Sequence, residues 1–291
     1  MKKVVRMLGL CALVALAFTA CKKNDTQKVT FTGYAAQPTG DVRTHISNSQ
    51  YLVWNENDQI KIFNEAGDDN MDFTVKSSSG KPGVAVFTAE TADEIGFIGD
   101  LTSANYTAFY PNATVNADDK VVLAIPAEQQ RHEGKDIANN LYPMVGFNNG
   151  TDNFNFASNA GLLNVSFQLD NESVLDAVNV DKIVLRSKGD DDYLNGTFAY
   201  EKNGLSYTWV GGTTQIELTT GSPVAIIKGY GADFTFVLPE GALAEGFYID
   251  LYLGEEFIES FEGQGDGANE IHAQYFRTMT PAYLQTGVAS K

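Results

Sequence analysis

The chain has 291 residues, of which 20 are Lys or Arg and 37 are Asp or Glu, for a formal charge of −17 at pH 7. A surface of that sign repels nucleic acid and anionic lipid headgroups, so nucleic acid is excluded as a partner and membrane attachment cannot come from basic patches. The length allows two ordinary domains, and the two cysteines, Cys11 and Cys21, cannot make a disulfide-rich scaffold.

Residues 1–20 read as an export signal. Lys2, Lys3 and Arg6 give a basic start, and residues 7–18 form an apolar run too short to span a bilayer. Thr19, Ala20 and Cys21 then meet Lys22, Lys23, Asn24 and Asp25 at once. This arrangement resembles the lipobox of bacterial lipoproteins, with Phe18 standing where Leu is usual. The resemblance implies that Cys21 becomes the mature N-terminus and carries acyl chains, palmitate among them, on its thiol and amine. Each buried methylene stabilises by about 0.8 kcal/mol, and a stable anchor needs more than one chain. A plain secretory signal with a free Cys21 is the second alternative. Loss of the segment removes three positive charges and moves the formal charge from −17 to −20. Cys11 leaves with it, so the mature protein has no disulfide and depends on burial and backbone pairing.

Residues 21–28 read as a polar tether. After it, alternation of apolar and polar residues dominates. Val29 and Phe31, Ile60 and Ile62, and Phe73 and Val75 each sit between polar neighbours. Leu163, Val165, Phe167 and Leu169 continue the pattern, then Ile183 and Leu185, then Phe247, Ile249, Leu251 and Leu253. Such alternation predicts antiparallel sheets packed on one face. Turn chemistry separates the strands at residues 65–70, 77–83, 189–192 and 211–212. Asn203-Gly204, between residues 198–202 and 205–209, is the clearest hairpin. Helical periodicity is scarce; residues 89–95 and 173–178 could each form a turn or two. The expected fold is all-β, with two tandem β-sandwich domains, immunoglobulin-like in strand number. The first covers residues 29–172 and the second 173–291, with residues 148–153 as an alternative boundary.

An ordered series of motifs adds to the pattern. Arg43-Thr44 is followed by Trp54 and by Asn57-Asp58-Gln59-Ile60-Lys61-Ile62-Phe63. Tyr106-Thr107-Ala108-Phe109-Tyr110-Pro111, Ile125-Pro126 with Gln129-Gln130, Pro143-Met144, and Gly161-Leu162-Leu163-Asn164-Val165-Ser166-Phe167 come next. In order and spacing, behind a lipoprotein signal, this series resembles the fimbrillin family of Bacteroidales, the subunits and relatives of type V pili. The resemblance covers most of residues 43–187 and is weaker beyond, ending in Phe236-Val237-Leu238-Pro239. It implies two transthyretin-like β-sandwich domains, export as a lipoprotein, and no catalysis. In pilus-forming members an Arg-specific or trypsin-like protease removes the first strand, and the groove accepts a strand from the next subunit. Here the removed strand would be residues 29–43, cut between Arg43 and Thr44, which would also free the protein from Cys21. The alternative is an exposed Arg43 that is never cut. At the other end, Ala282, Leu284, Thr286 and Val288 alternate with Tyr283, Gln285 and Gly287 as a donor strand. The alternative, which the sequence favours, is a native closing strand of the second domain. The expected partners are other pilus subunits through strand addition, the outer membrane through the acyl chains, and a host or bacterial surface receptor.

Other motifs carry less. Trp54 opens an apolar strand and reads as core rather than a sugar platform. Tyr207 and Trp209, on the predicted hairpin, are the better ligand-contact candidates, against hairpin packing as the plainer reading. Asp190, Asp191, Asp192 and the loop 262–270 with Asp266 lack an EF-hand spacing and read as solvated turns. His45, His132 and His272 are far apart, and His132-Glu133 lacks the second His of a zinc-protease helix. There is no nucleophile elbow and no phosphate-cradling glycine loop. No metal or cofactor is expected, and the chain reads as a non-enzyme. The rival class is a glycan-binding surface lipoprotein of a nutrient-uptake system, which predicts an aromatic platform that includes Trp209.

Overall fold

A computed structural model describes residues 30–35, 54–65, 70–78, 83–88, 105–111, 113–131, 141–204, 206–265 and 269–286. Every regular element among them is a strand. The first sheet uses β1 (Thr30–Ala35), β2 (Gln59–Asn64), β3 (Asn70–Ser78), β4 (Val84–Thr88), β5 (Tyr106–Tyr110), β9 (Met144–Phe147) and β10 (Asn153–Ala157). The intervening strands β6 (Thr114–Val115), β7 (Val121–Ile125) and β8 (Glu128–Arg131) leave it and pair elsewhere.

The sequence predicts a sandwich in the N-terminal half, and the structure instead closes this sheet into a barrel, in the order β1-β10-β9-β5-β2-β3-β4. The cause is β1. One edge pairs antiparallel with β4, from Thr30 opposite Thr88 to Tyr34 opposite Val84. The other edge pairs parallel with β10, from Thr32 opposite Asn153 to Ala35 opposite Phe156. A strand paired on both edges leaves no open side, so the sheet has no edge there.

The barrel interior is aromatic. Phe31 meets Phe154 and Phe73 edge to face, with centroids 4.8 and 5.2 Å away. Trp54, just ahead of β2, packs edge to face on Tyr110, Phe87 and Phe156 at 4.9, 5.0 and 5.3 Å. Its indole N–H donates to the Gly83 carbonyl at 2.9 Å, so the buried polar atom is satisfied. Trp54 is core, as its place in the sequence implies.

The rest of the chain builds three further sheets. β11 (Ala160–Leu169) is flanked by antiparallel β16 (Ala232–Pro239) and by two parallel strands, β19 (Phe276–Thr278) and β20 (Ala282–Leu284). β18 (Glu256–Gln264), β17 (Gly246–Leu253), β12 (Ala177–Ser187), β15 (Gln215–Ile227) and β8 follow one another in a second sheet. β14 (Tyr207–Trp209), β13 (Gly196–Tyr200), β7 and β6 form a third. Pairings therefore run across residue 172: β7 pairs with β13, and β8 lies parallel to β15.

Local chemistry explains two departures from simple alternation. β11 is buried almost along its length, because neighbours cover it on both sides. Its polar Asn164 survives inside by accepting a hydrogen bond from the Thr235 hydroxyl at 3.1 Å. Residues 173–178 form no helix. Asp170 accepts from the Glu172 N–H, and the Ser173 hydroxyl accepts from the Leu175 N–H, so side chains capture the backbone in turns before β12 begins.

Candidate functional site

The predicted hairpin is present, and it positions a cleft whose lining offers recognition chemistry. β13 and β14 pair antiparallel, with Tyr200 opposite Tyr207 and Phe198 opposite Trp209. Residues 207 and 209 share a face because side chains alternate along a strand. Tyr207 and Trp209 both pack edge to face on the buried Phe198, at 5.1 and 4.8 Å. Tyr193 stacks beside Trp209 with ring planes 27° apart. The other end of β13 rests on the barrel, where Tyr200 meets Phe109 at 5.7 Å and donor Asn159 Nδ2 lies 3.0 Å from the Tyr200 hydroxyl.

The rings of Tyr193, Phe198, Tyr207 and Trp209 line a cleft of about 370 Å³, and Asp191, Asp192 and the loop 239–245 complete its lining. The loops 191–193 and 239–245 are pinned together by Asp192, which is buried, not solvated as the sequence suggests. Its carboxylate accepts from the Ser187 hydroxyl at 2.7 Å and from the Leu243 N–H at 2.9 Å. Asp191, Glu240 and Glu245 line the cleft as well, and all three are exposed. None of them has an ion-pair partner among the described residues, and no Lys or Arg lines the cleft. Partial burial, and then the nearby Glu240 carboxylate, push the Tyr207 phenol above its usual range. The Trp209 indole N–H is buried without a hydrogen-bond partner.

The two ligand-contact candidates thus come together in a cleft. Sequence reasoning missed its acidic wall, because loop 239–245 is far from the hairpin in the chain. The Pro239-Glu240-Gly241 turn at the end of a strand is a local signal for that loop, but it names no neighbour.

The strand-exchange candidates fall in two places. Cys21, Arg43, Thr44 and Val288 lie outside the described residues. Ala282 and Leu284 belong to β20, where they stand opposite Phe167 and Leu169 of β11, and Leu284 is fully buried. Thr286 follows, held by the Glu259 carboxylate through its N–H and its hydroxyl at 3.2 and 2.9 Å. The described part of the C-terminal segment thus pairs with β11 of its own chain.

No protein-family model matches the chain, and no curated protein matches it. Among solved structures, a candidate cell adhesion protein from Bacteroides ovatus superimposes with a TM-score of 0.55 at 14% identity, over 88% of this chain and 92% of that one. A second such protein, from Bacteroides uniformis, gives 0.48 at 16% identity over 87% and 94%. A tip fimbrial protein from Porphyromonas gingivalis with C-terminal truncation gives 0.36 at 12% identity over 86% and 93%. The first of these has the same fold as this chain, and that shared fold agrees with the resemblance to the fimbrillin family of Bacteroidales carried by the ordered motifs.

Proposed function

We propose that the chain is a structural cell-surface lipoprotein of the fimbrial type, a pilus subunit or an accessory anchor or tip protein. It assembles by β-strand exchange and supports adhesion. The observation that carries this reading is the position of β1. The first described strand closes the barrel between β4 and β10, and Phe31 fills its aromatic centre. Without β1, two rows of backbone groups lose their partners and a trough lined by Phe73, Phe87, Phe154 and Phe156 opens. An extended strand from another subunit satisfies both the backbone and the apolar surface. On this reading, acylated Cys21 tethers the protein to the outer membrane, and a cut after Arg43 releases it into the fimbrium. Other pilus subunits are the assembly partners, and a surface receptor on a host or bacterial cell is the adhesive one. The role is non-enzymatic and needs no cofactor.

The test is incubation of the full chain with an Arg-specific protease, followed by SDS electrophoresis and mass spectrometry of the new N-terminus. The expected result is a start at Thr44 together with an SDS-resistant ladder. A digest that leaves only monomer, or that shreds the chain, overturns the reading. A second reading, a glycan-binding lipoprotein of a nutrient-uptake system, draws on the aromatic wall at Tyr207 and Trp209 and predicts a neutral sugar in that cleft.

A further inference from the structure

We infer that the cleft beside the β13–β14 hairpin is a docking site for a basic side chain, Arg or Lys, presented by an extended polypeptide partner. Three observations converge on this. The cleft has a volume of about 370 Å³, within the range of side-chain-sized and small-ligand sites. Its lining offers the rings of Tyr193, Tyr207 and Trp209, and aromatic faces attract guanidinium and ammonium groups. The rim carries Asp191, Glu240 and Glu245, three carboxylates with no cationic partner among the described residues.

Charge of one sign around a partly apolar cleft concentrates the field inside it. Several acidic side chains elsewhere in the fold have a basic partner: Asp250 has Arg186, Glu262 has Lys188, Glu201 has Lys120 and Asp119 has Lys202. The cleft is therefore an uncompensated site in a fold that pairs carboxylates in several other places. A neutral sugar would use the aromatic faces and leave the charge unanswered, and an anionic one would be repelled. A cation answers both the rings and the carboxylates.

The neighbouring backbone selects the kind of molecule that brings the cation. Among the described residues β14 is the outer strand of its sheet, with β13 as its single neighbour. An extended polypeptide laid along that edge gains main-chain hydrogen bonds while one side chain enters the cleft. The site is preformed, since Asp192 ties both loops of the acidic wall together through Ser187 and Leu243.

The experiment is a fluorescence and NMR titration of the full chain. The probes are a five-residue Thr/Val peptide with central Arg, its citrulline counterpart, glucosamine, and a neutral glucose oligomer. The expected result is a response of Trp209 to the Arg peptide, with buried Trp54 silent. Binding should weaken about tenfold or more with citrulline, and likewise in an E240Q/E245Q variant, and should fall as salt rises. Those two glutamates are exposed, so the variant keeps the fold, and its thermal melt checks this. Equal binding of the citrulline peptide, preference for the glucose oligomer, or no binding at all overturns the inference. Glucosamine binding as well as the Arg peptide overturns the polypeptide partner. None of these results bears on strand exchange, which the protease ladder tests separately.

Discussion

Gly33 shows how one residue sets the shape of the barrel. A Cβ built there would lie 2.4 Å from Cε2 of Phe87 and 3.1 Å from Cε2 of Phe156. The two rings occupy the space in which a side chain of β1 would stand. Gly33→Ala is therefore expected to destabilise the protein by about 1–3 kcal/mol in urea denaturation, as overpacking does. Phe87→Leu costs stability alone, but combined with Gly33→Ala the two penalties should fall short of their sum, because the second change makes room for the first. Strict additivity, or a loss under about 0.5 kcal/mol for Gly33→Ala, would show that the rings yield freely. The same geometry constrains strand exchange. A strand replacing β1 in the same register has to present glycine between the positions taken by Phe31 and Ala35. The in-phase residues of this chain's own C-terminal segment, Ala282, Leu284, Thr286 and Val288, contain none. On the strand-exchange reading, the groove would favour a donor from a different subunit over a second copy of this chain.

At the scale of elements, β20 is a short strand with a specific latch. It adds to β11 in parallel, and the Asp170 N–H donates to the Leu284 carbonyl at 3.0 Å. Just beyond it, Glu259 accepts from the Gln285 N–H at 3.0 Å and from both the N–H and the hydroxyl of Thr286. The Ser173 hydroxyl donates to the Thr286 carbonyl at 2.9 Å. Charge-assisted bonds to N–H groups are worth more than neutral ones, so Glu259→Gln should cost about 1 kcal/mol and speed hydrogen exchange at residues 284–286 first. Unchanged exchange at those amides would mean that pairing with β11 holds the strand alone. Elements of this kind divide sharply in how far a sequence reveals them. Phe31, Ile60, Ile62, Phe73 and Val75 announce their inward face by alternation, and each is buried. The hairpin at Asn203-Gly204 is equally readable, since its turn chemistry is local. Pairing partners are another matter. Nothing in residues 30–35 says that they lie parallel to residues 153–157, and nothing in residues 121–131 says that they join β13 and β15. Gln129 is the sharpest case. It is a polar amide, yet it is buried and bonds both the N–H and the carbonyl of Val237, at 3.0 and 2.8 Å, as a neighbouring strand would. The cleft divides the same way: its aromatic wall follows from the hairpin, whereas its acidic wall depends on a loop that only the tertiary fold brings near.

The molecule as a whole is joined by buried polar contacts at the passage from the barrel to the remaining sheets, and these give it a defined response to alkali. Tyr142, just before β9, donates its hydroxyl proton to the Ala160 carbonyl at 3.0 Å. Tyr200, on β13, faces Phe109 of the barrel and accepts from Asn159. Both phenols are almost fully buried, and burial pushes both well above the usual tyrosine range. A group whose pKa is raised on folding holds its proton more tightly in the native state than in the unfolded chain. Its contribution is complete below the unfolded value, about pH 10, and is lost as pH climbs toward the folded value. Stability should therefore show no loss from these groups below about pH 10, then fall by up to about 1.4 kcal/mol per pH unit for each tyrosine. Thermal or urea melts taken from pH 8 to 11.5 read this slope. Tyr142→Phe and Tyr200→Phe lower stability at neutral pH by the lost contacts, but each should flatten the alkaline limb, and the double variant should flatten it most. A wild-type slope that persists in the double variant would place alkaline sensitivity elsewhere. A flattened slope would show that the seam between the barrel and its neighbouring sheets is where the fold gives way.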